Sequence, residues 1–588
     1  MKDIKIFDSQ IQSWLLPQPI NNAYNSTLEL NYILQKVLIR RGLRTEKELD
    51  IFLEPAKLPK PQTHFPELDK ASNRIIDACK KNQKIAICGD YDADGMTSTV
   101  LLVEILSLIG GDIIPYIPSR KEDGYGLNTK MIEAINKNNI NLIITVDNGI
   151  SAVEAIKKAN EYNIDIIITD HHKIPKNIPE IFALVHPELT PKDSPYKYLA
   201  GVGIAYMIAK SICTKTNISI ENSSAIELFC IGTVADMAPL VGANRRWLKD
   251  GLPKLNTTKN KGLKAIIKKL GISNSFINTE EIGFKIAPLI NAVGRIGDPN
   301  LVIELLTSAS DKNCKKLTDI CIEMNKYRRK ITEETVTKAI NIVETTIKSQ
   351  PYFLVISKED WNAGIIGIVA ARLLDKYNVP TAIIGGESNG IYRGSVRSNT
   401  LLKVNEVLRE CKNILESYGG HSAAGGFSIK ESNISRLNNQ LNTIAKREIV
   451  TSSFLKSVKP EAHLDFDEIN FDFYNQLESI GPFGMQNPKP LFWTRNCKIL
   501  EIYELKGNHI KLKLKHHSTI IEAIKWNNSD IFKVNDKIDI AYYLEISTWK
   551  KKTKLQLNLV ALRQFQNNIQ LFLHKKIYKC SLLDDKLV

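Results

Sequence analysis

Three short apolar runs rich in β-branched residues, each ending in an acidic motif, constrain the fold of this chain most strongly. The runs are 84–89 (KIAICG), 141–146 (NLIITV) and 165–169 (DIIIT), and helix-length segments separate them. Short strands that alternate with helices predict a parallel sheet covered by helices. Because the carboxyl ends of parallel strands share one edge, where α/β proteins bind ligands, the acidic side chains are expected to gather there.

The motif after the first run, GDYDADG (89–95), contains carboxylates at alternate positions: Asp90, Asp92 and Asp94. They cannot all be buried without compensation, because an unpaired buried charge is very costly. Oxygen ligands at this density suit hard divalent cations such as Mg²⁺ or Mn²⁺. An acidic turn exposed to water is the alternative. The motif after the second run, VDNG, adds Asp147.

The third run is followed by Asp170, His171 and His172. Two adjacent histidines after an aspartate at the predicted edge favour a ligand role over a structural one. Imidazole added to carboxylate shifts the preferred metal from Mg²⁺ towards Mn²⁺, though not decisively. Asp236, in LFCIGTVADMAP, ends another apolar run and taken alone is either a ligand or a helix-end residue.

The rest of the chain predicts further domains. Residues 300–350 contain neither glycine nor proline, and their apolar spacing predicts a helix of roughly 35 residues and 50 Å that separates two lobes. An α/β pattern restarts at 353–386. From 510 to 515 isoleucine or leucine alternates with lysine, which predicts a β-barrel with a basic outer face. We divide the chain into an N-terminal helical segment (1–70), a metal-binding domain (71–250), a helical connector (251–350), a second α/β domain (351–455) and a barrel (456–588).

Composition and net charge indicate which kind of partner the chain binds and in which cellular compartment it works. The chain has 588 residues and a net charge of +15, from 79 basic and 64 acidic side chains. This surplus favours nucleic acid as a partner, although a lysine-rich proteome would explain it equally well. Residues 501–588 carry 16 basic and 9 acidic side chains, nearly half of the surplus. No apolar run reaches membrane-helix length, the start lacks a signal-peptide pattern, and the nine cysteines show no CxxC spacing. We therefore expect a cytoplasmic protein.

In their order along the chain, DYDADG, VDNG, DHH (170–172) and GTVADM (232–237) resemble the DHH phosphoesterase superfamily. The segment GGHSAAGGF (419–427) resembles the glycine-rich signature of the accompanying DHHA1 domain. Its glycines let backbone amides approach a phosphate closely, and a flexible loop is the alternative reading.

Five further segments narrow the resemblance: RKEDGYGLN (120–128), INAVGRIGDP (290–299), GIIGIVAARL (364–373), SVRS (395–398) and GPFGMQNPKPLF (481–492). They resemble the RecJ family of bacterial 5′→3′ exonucleases specific for single-stranded DNA. In one departure, Trp361 is followed by Asn362 where that family usually has histidine. The resemblance covers the chain from about residue 30 to its end.

The resemblance implies an α/β multidomain fold with a DHH parallel-sheet domain, a long connecting helix, a DHHA1 α/β domain and a C-terminal OB-type β-barrel. It also implies hydrolysis of phosphodiester bonds with two Mn²⁺ or Mg²⁺ ions, yielding 5′-mononucleotides in DNA repair and recombination. The metal ligands it implies are Asp92, Asp94, Asp147, His171 and Asp236, with Asp90, Asp170 and His172 as ligands or their partners.

The same resemblance implies the residues that bind single-stranded DNA. Arg120, Arg295, Ser395 and Arg397 are expected to hold the terminal 5′-phosphate, although each arginine could instead form a surface ion pair. Gly419 and Gly420 are expected to bind substrate, and His421 is expected to act as a catalytic residue that contacts the phosphate backbone or the metal-bound substrate from the second lobe. In the barrel, Lys511, Lys513 and Lys515 are expected to follow the strand, with a merely solvated face as the alternative. Weaker candidates, which could equally be barrel core or surface, are Trp526, Tyr542, Tyr543, Trp549 and Lys550, Lys551 and Lys552.

Other functions stay open at this point. A DHH-family phosphodiesterase of short oligonucleotides or cyclic dinucleotides, or a manganese pyrophosphatase, would share the ligands but would not need the basic barrel or the long helix. A DNA-binding scaffold without activity would not need the complete run of ligand residues. A single-strand-binding protein and a RecQ-type helicase are further candidate partners.

Overall fold

The structure is a computed structural model. It describes residues 13–17, 20, 30–55, 57–119, 126–272, 277–346, 351–388, 390–399, 402–449, 457–526, 531–549, 552–565, 569–573, 576–580, 582–583 and 586–587. The chain divides into two compact units. The larger unit contains Pro59–Ala238 and Gly242–Phe454, and the barrel unit contains Gln10–Leu58, Pro239–Val241 and Leu455–Val588.

The first elements belong to the barrel unit: strand β1 (Ser13–Trp14) and helices α1 (Tyr32–Arg40) and α2 (Glu46–Leu53). Asn31 begins α1 by accepting a hydrogen bond from the Ile33 amide, and Thr45 with Glu48 forms a capping box at α2. These side chains satisfy amide groups that have no partner within the helix.

The first sheet of the larger unit is parallel throughout, with the strand order β3-β2-β4-β5-β6. After β2 the chain adds β3 on one side and β4 on the other, so the carboxyl ends of β2 and β4 form a topological switch point, where open α/β sheets bind ligands. The predicted parallel sheet is confirmed. Its strands are β2 (Lys84–Cys88), β3 (Asp112–Tyr116), β4 (Leu142–Val146), β5 (Asp165–Thr169) and β6 (Ala183–Val185), and its helices are α3 (Leu68–Lys80), α4 (Ala93–Leu108), α5 (Thr129–Lys137), α6 (Val153–Glu161) and α7 (Gly201–Thr216).

A helical region follows: α8 (Ala225–Ala235), α9 (Gly242–Leu255), α10 (Lys261–Lys269), α11 (Thr279–Glu281), a π-helical turn (Ile282–Ile286), α12 (Ala287–Ile296), α13 (Asn300–Thr307) and α14 (Asp311–Thr346). The predicted long helix is confirmed, because α14 runs for 36 residues, about 54 Å at 1.5 Å per residue. It contacts α10, α12 and α13 and also the next helix of the chain, α15 (Ile366–Tyr377). Among the described residues, no helix combines the length and the apolar character that a membrane span requires.

The second sheet of the larger unit is mixed, with the order β10-β11-β9-β8-β7 and only β7–β8 parallel. Ala339 and Val343 of α14 lie in the same apolar core as β7 and α15, so the long helix is built into this domain. Its elements are β7 (Leu354–Ser357), α15 (Ile366–Tyr377), β8 (Thr381–Ser388), β9 (Ile391–Arg397), α16 (Val404–Glu410), β10 (Ser417–Gly420), β11 (Ala424–Lys430) and α17 (Ile434–Ile449).

Five strands of the barrel unit close on themselves in the order β14-β15-β16-β18-β17, with β17 pairing back to β14. This confirms the OB-type barrel. The elements are β12 (Ser457–Val458), β13 (Ala462–His463), α18 (Phe471–Ser479), β14 (Phe492–Leu505), β15 (His509–His516), β16 (Thr519–Lys525), β17 (Lys537–Trp549), β18 (Lys552–Gln564), β19 (Ile569–Leu573), β20 (Lys576–Cys580), β21 (Leu582–Leu583) and β22 (Lys586–Leu587).

The N-terminal helices share the core of the barrel. Leu34 and Leu38 of α1 and Leu49 of α2 are fully buried in one apolar cluster with Phe466 and Phe473. Two short amphipathic helices cannot bury their apolar faces against each other alone. The structure therefore differs from the separate segment 1–70 of the sequence-based division, and residue 70 lies inside α3. The other predicted domain boundaries stay predictions.

Candidate active site

The acidic motif after β2 folds tightly because α4 begins directly after it. The side chain of Asp92 caps α4 by accepting hydrogen bonds from the amides of Asp94 (3.0 Å) and Gly95 (3.1 Å). At Gly95 a Cβ atom would lie 2.5 Å from the Asp90 amide nitrogen, so this turn requires glycine. The capped helix start brings Asp92 and Asp94 to the switch point between β2 and β4.

Asp94 is held from the opposite side by the start of another helix. Its carboxylate is 2% exposed, and its two oxygens accept hydrogen bonds from the amides of Gly201 and Val202, each at 2.8 Å. These are the first amides of α7, where the helix dipole favours negative charge. The sequence analysis missed this role of α7. The small residues of LAGVG before an apolar helix were the available signal.

Asp147 and His171 meet at the ends of β4 and β5. The His171 Nε2 atom lies 2.9 Å from Asp147 Oδ1 and 3.9 Å from Asp94 Oδ2, and its Nδ1 atom lies 3.9 Å from Asp236 Oδ2. Asp147 is buried and has φ +62°. A Cβ atom at Gly201 would lie 2.5 Å from the Asp147 Cβ, so the start of α7 must be glycine for this approach.

Asp170 has a positioning role in the structure. Its buried oxygens accept hydrogen bonds from the amides of Ile150, His171 and His172 and contact the His172 Nδ1 atom at 2.7 Å. Burial alone would raise the pKa of the Asp170 carboxyl, but these bonds lower it. For His172, burial opposes the charged ring, and the bond to Asp170 outweighs it and raises the pKa to about 9.

The predicted ligands form three overlapping groups of three residues. Within each group, one ligand atom of each residue lies within 4.8 Å of those of the other two. Burial and repulsion from Asp236 raise the pKa of Asp94 to about 7, and burial and repulsion from Asp92 raise the pKa of Asp236 to about 7. Burial and repulsion from Asp94 raise the pKa of Asp147 well above its usual value. Burial lowers the pKa of His171. Crowded carboxylates of this kind fit a divalent cation, which removes their repulsion. The groups are Asp90, Asp92 and Asp147; Asp94, His171 and Asp236; and Asp147, His171 and His172.

The glycine-rich segment 419–427 forms the hairpin β10–β11, and His421 lies at its turn. Gly420 has φ +143°, and a Cβ atom there would lie 2.4 Å from the Ala424 carbonyl oxygen. Gly419 has open space around it. The rings of His421 and His172 have centroids 6.1 Å apart, so the hairpin brings His421 to the metal-ligand cluster. Burial and the neighbouring His172 lower the pKa of His421.

Three of the four predicted 5′-phosphate residues meet at the start of α15. Arg295 Nη1 donates to the Gly364 carbonyl at 3.3 Å, and Arg397 Nη1 donates to the Ser395 hydroxyl at 3.2 Å. A Cβ atom at Gly367 would lie 2.9 Å from both Ser395 Oγ and Arg397 Nη2. Two guanidinium groups and a helix N-terminus are well suited to a phosphate.

The fourth predicted pocket residue and the departure at Asn362 differ in what the structure shows of them. Arg120 lies outside the described residues. Asn362, which departs from the usual histidine, accepts a hydrogen bond from the Gly364 amide at 2.7 Å. It therefore closes the turn that leads into α15.

The lysines of β15 differ from one another in their surroundings. Lys511 pairs with Glu522 and Lys513 with Glu501, each at 3.0 Å. The predicted outer face is therefore mixed in charge, because Glu501 of β14 and Glu522 of β16, which both lie opposite Lys513, form ion pairs with these two lysines. Lys515 is exposed and lies opposite Lys498, which in turn lies opposite Lys537. We call these three exposed side chains the lysine row. Within the described ranges none of them has an ion-pair partner.

The aromatic candidates divide between core and surface. Tyr542 is fully buried, and its hydroxyl lies 2.9 Å from the Thr494 hydroxyl, so of the two alternatives it belongs to the barrel core and does not stack on DNA. Trp526 is 50% exposed beside His509, and Tyr543 is half-buried. The side chains of Trp549 and of Lys550, Lys551 and Lys552 lie outside the described residues.

Comparisons with known proteins agree with this architecture. The sequence matches the DHH family, N-terminal domain, over residues 84–233, the DHHA1 domain over 350–447 and the RecJ OB domain over 461–561. It is 32% identical over 555 residues to the single-stranded-DNA-specific exonuclease RecJ of Bacillus subtilis (strain 168), covering 92% of this chain and 70% of that protein.

Two solved structures of RecJ from Thermus thermophilus are similar to this one. The Mn²⁺ complex has a TM-score of 0.81 and 25% identity and covers 95% of this chain and 81% of that one. The Mg²⁺ complex has a TM-score of 0.74 and 24% identity and covers 94% and 79%. The matched domains, in the order DHH, DHHA1 and RecJ OB, and the identity over most of both sequences show that this chain belongs to the RecJ family.

Proposed function

We propose that this chain is a metal-dependent exonuclease that degrades single-stranded DNA from the 5′ end and releases 5′-mononucleotides. The observation that carries this proposal is the arrangement within the larger unit. One compact body contains both the carboxylates and histidines suited to divalent cations and the guanidinium groups of Arg295 and Arg397 near the start of α15. One group of residues can hold the reacting phosphate and the other the terminal phosphate.

The donor set fits Mn²⁺ or Mg²⁺. The candidate ligands are Asp90, Asp92, Asp94, Asp147, His171, His172 and Asp236. Divalent ions held by these residues would supply Lewis-acid chemistry to the water and to the scissile phosphate. A related protein, the RecJ of Thermus thermophilus, has been solved with Mn²⁺.

The chain itself fixes the positions of those ligands. The α7 amides hold both oxygens of Asp94, the Asp92 cap holds the start of α4, and Asp170 orients His172. These groups are set before substrate binds, so they need no reorganisation during the reaction. His421, across from His172, is the residue of the second sheet that we expect to contact the phosphate next to the cleaved bond.

Recognition of the 5′ end falls to Arg295, Ser395 and Arg397 at the start of α15. A terminal 5′-phosphate carries more negative charge than an internal phosphodiester, so guanidinium groups and helix amides favour it. This preference gives the enzyme its direction. Arg120, Gly419 and Gly420 stay predictions as substrate-binding residues.

The barrel is proposed to bind the single strand outside the active site. The lysine row places like charges at neighbouring positions of three adjacent strands, an arrangement that costs stability unless an anion binds. Lys511 and Lys513 contribute less than Lys515, because their glutamate partners offset their charge. Basic surfaces of this kind bind the phosphate backbone of a single strand without recognising its base sequence.

One substrate panel tests the proposed function. Metal-free protein is supplied with Mn²⁺ or Mg²⁺ and incubated with a single strand, a matched duplex or a dinucleotide. We expect mononucleotides from the single strand. Cleavage of the dinucleotide alone would favour the phosphodiesterase, and binding without cleavage would favour the scaffold.

Cellular context is part of the proposal. The eight cysteines that the structure describes are free and buried, as expected in the reducing cytoplasm. An exonuclease limited to single strands needs a helicase to supply them, so we propose a RecQ-type helicase and a single-strand-binding protein as partners in DNA repair and recombination. Co-purification of tagged chain from cells tests these partners.

A further inference from the structure

The barrel unit contains a second cluster of metal-ligand side chains. It consists of Asp465, His516 and His517, and one ligand atom of each lies within 4.8 Å of the others. His516 and His517 form the second histidine pair of the sequence, after His171 and His172. We call this cluster the barrel cluster. Nothing in the proposed nuclease reaction uses it.

The fold brings the barrel cluster together through two segments that contact each other directly. His516 ends β15, and His517 lies in the turn before β16 with φ +48°. Asp465 lies in the segment between β13 and α18. The rings of Phe466 and His516 pack edge to face with centroids 5.5 Å apart, and the Thr519 hydroxyl donates to the Asp467 carboxylate. The two segments are therefore held together without any ion.

The imidazole of His516 points into the cluster with an unused ligand atom. The residue is 8% exposed, and its Nδ1 atom has no hydrogen-bond partner among the residues described. A buried polar atom without a partner is rare in folded proteins and needs an explanation. The Nδ1 atom lies 3.6 Å from Asp465 Oδ1, which is too long for a hydrogen bond.

That separation is close to the distance between two ligands of one tetrahedral ion. With bonds of about 2.0–2.1 Å, as for Zn²⁺, neighbouring ligand atoms lie about 3.4 Å apart. The set of two imidazoles and one carboxylate is softer than the oxygen ligands that Mg²⁺ and Ca²⁺ prefer. The fourth position falls to water or to His463, whose Nε2 atom lies 3.9 Å from the same Asp465 oxygen.

We propose that Asp465, His516 and His517 bind one Zn²⁺ ion. The ion joins the β15–β16 hairpin to the segment that precedes β14, and so it fixes one edge of the barrel. This site is independent of the proposed nuclease activity, because its ligands belong to a different unit from the catalytic ligands. A borderline cation is the expected occupant, and Mg²⁺ is not.

The test uses the full chain with Asp94→Asn and Asp147→Asn, which weaken cation binding at the candidate active site. After treatment with a chelator, this reference protein is titrated with Zn²⁺ by calorimetry, and the bound zinc is counted by mass spectrometry. We expect that adding His516→Gln removes one zinc per chain or lowers its affinity by at least roughly tenfold. His509→Gln, in the same strand, is the matched control and should change neither.

Two milder variants keep the test valid if His516→Gln fails to fold. Asp465→Asn preserves shape, and His517→Asn suits a left-handed turn position. Each should lower the zinc affinity and abolish the rise in Tm that Zn²⁺ gives the reference protein. Equal zinc content, affinity and Tm response in the reference protein and in all three variants would overturn the proposal, as would a reference protein that binds no zinc.

Discussion

The candidate active site and the lysine row both place like charges side by side, but in opposite settings. The carboxylates of Asp94 and Asp147 are 2% and 3% exposed and are crowded against other acidic groups. The lysines of the row are exposed and reach water freely. Like charges cost far more when buried than when solvated, so only the buried cluster depends strongly on a counter-ion. We therefore expect the cluster to hold cations tightly and the lysine row to bind a polyanion weakly.

The largest effect is expected from the buried side of the comparison. Asp94→Asn removes one charge from the cluster and leaves a side chain of the same shape. Because bound cations stabilise both the attacking and the leaving oxygen, we expect turnover of single-stranded DNA to fall on the order of 10³-fold. DNA affinity should stay within about threefold, since the barrel is unchanged. Single-turnover assays measure this rate, and Glu333→Gln on α14 is the control variant that should keep normal turnover. Near-normal turnover in Asp94→Asn would contradict the assignment of Asp94 as a metal ligand.

The second effect concerns recognition of the 5′ end of the DNA substrate. Arg397→Gln removes a charged hydrogen bond to phosphate, worth about 1.5–3 kcal/mol, so the preference for a 5′-phosphate over a 5′-hydroxyl end should fall roughly 10- to 100-fold. The measurement is kcat/KM on two oligonucleotides that differ only at this end. Arg393→Gln, on the same strand and bonded to Ser428, should keep the preference. An unchanged ratio in Arg397→Gln would remove this residue from the pocket.

The third prediction concerns a buried carboxyl group that has no part in the proposed reaction. Glu227 is 6% exposed and lies outside the metal cluster, and burial raises the pKa of its carboxyl to about 7. Between pH 4.5 and 7 the folded chain binds the extra proton, so the free energy of unfolding falls as the pH rises, by about 2–3 kcal/mol. Glu227→Gln should remove this part of the pH dependence in chemical denaturation. Exposed Glu333→Gln should not, and an identical pH profile for Glu227→Gln would contradict the raised pKa.

The smallest effect is expected from the exposed side. Replacing Lys498, Lys515 and Lys537 together by glutamine should weaken binding of single-stranded DNA roughly tenfold at moderate salt and lower the slope of log K against log salt by about 2. The matched control, Lys511→Gln with Lys513→Gln, removes lysines already paired with glutamates and should change the slope less. If the control has the larger effect, the strand follows the face of β15 and not the lysine row.

The sequence predicted the strand ends well, because parallel strands place their carboxyl ends at one edge whatever the packing details. The long helix was equally predictable from its composition. The small residues of LAGVG signal a close backbone approach, but the sequence alone could not identify Asp94 as the partner of the Gly201 and Val202 amides, since those residues lie more than 100 positions later. The pairing of Lys511 and Lys513 depends on strand register, and the packing of α1 on the barrel depends on contacts across most of the chain. The alternation of apolar residues and lysines along β15 indicates neither the register with the neighbouring strands nor contacts with distant parts of the chain.

We propose that the buried carboxylates hold the cations with which this chain hydrolyses single-stranded DNA from its 5′ end. The most direct measurement compares two strands of one sequence, one blocked by biotin–streptavidin at the 5′ end and the other at the 3′ end, with Mn²⁺ present. We expect mononucleotides from the 3′-blocked strand and almost none from the 5′-blocked strand. Equal rates on both strands, or faster release from the 5′-blocked strand, would contradict the claim.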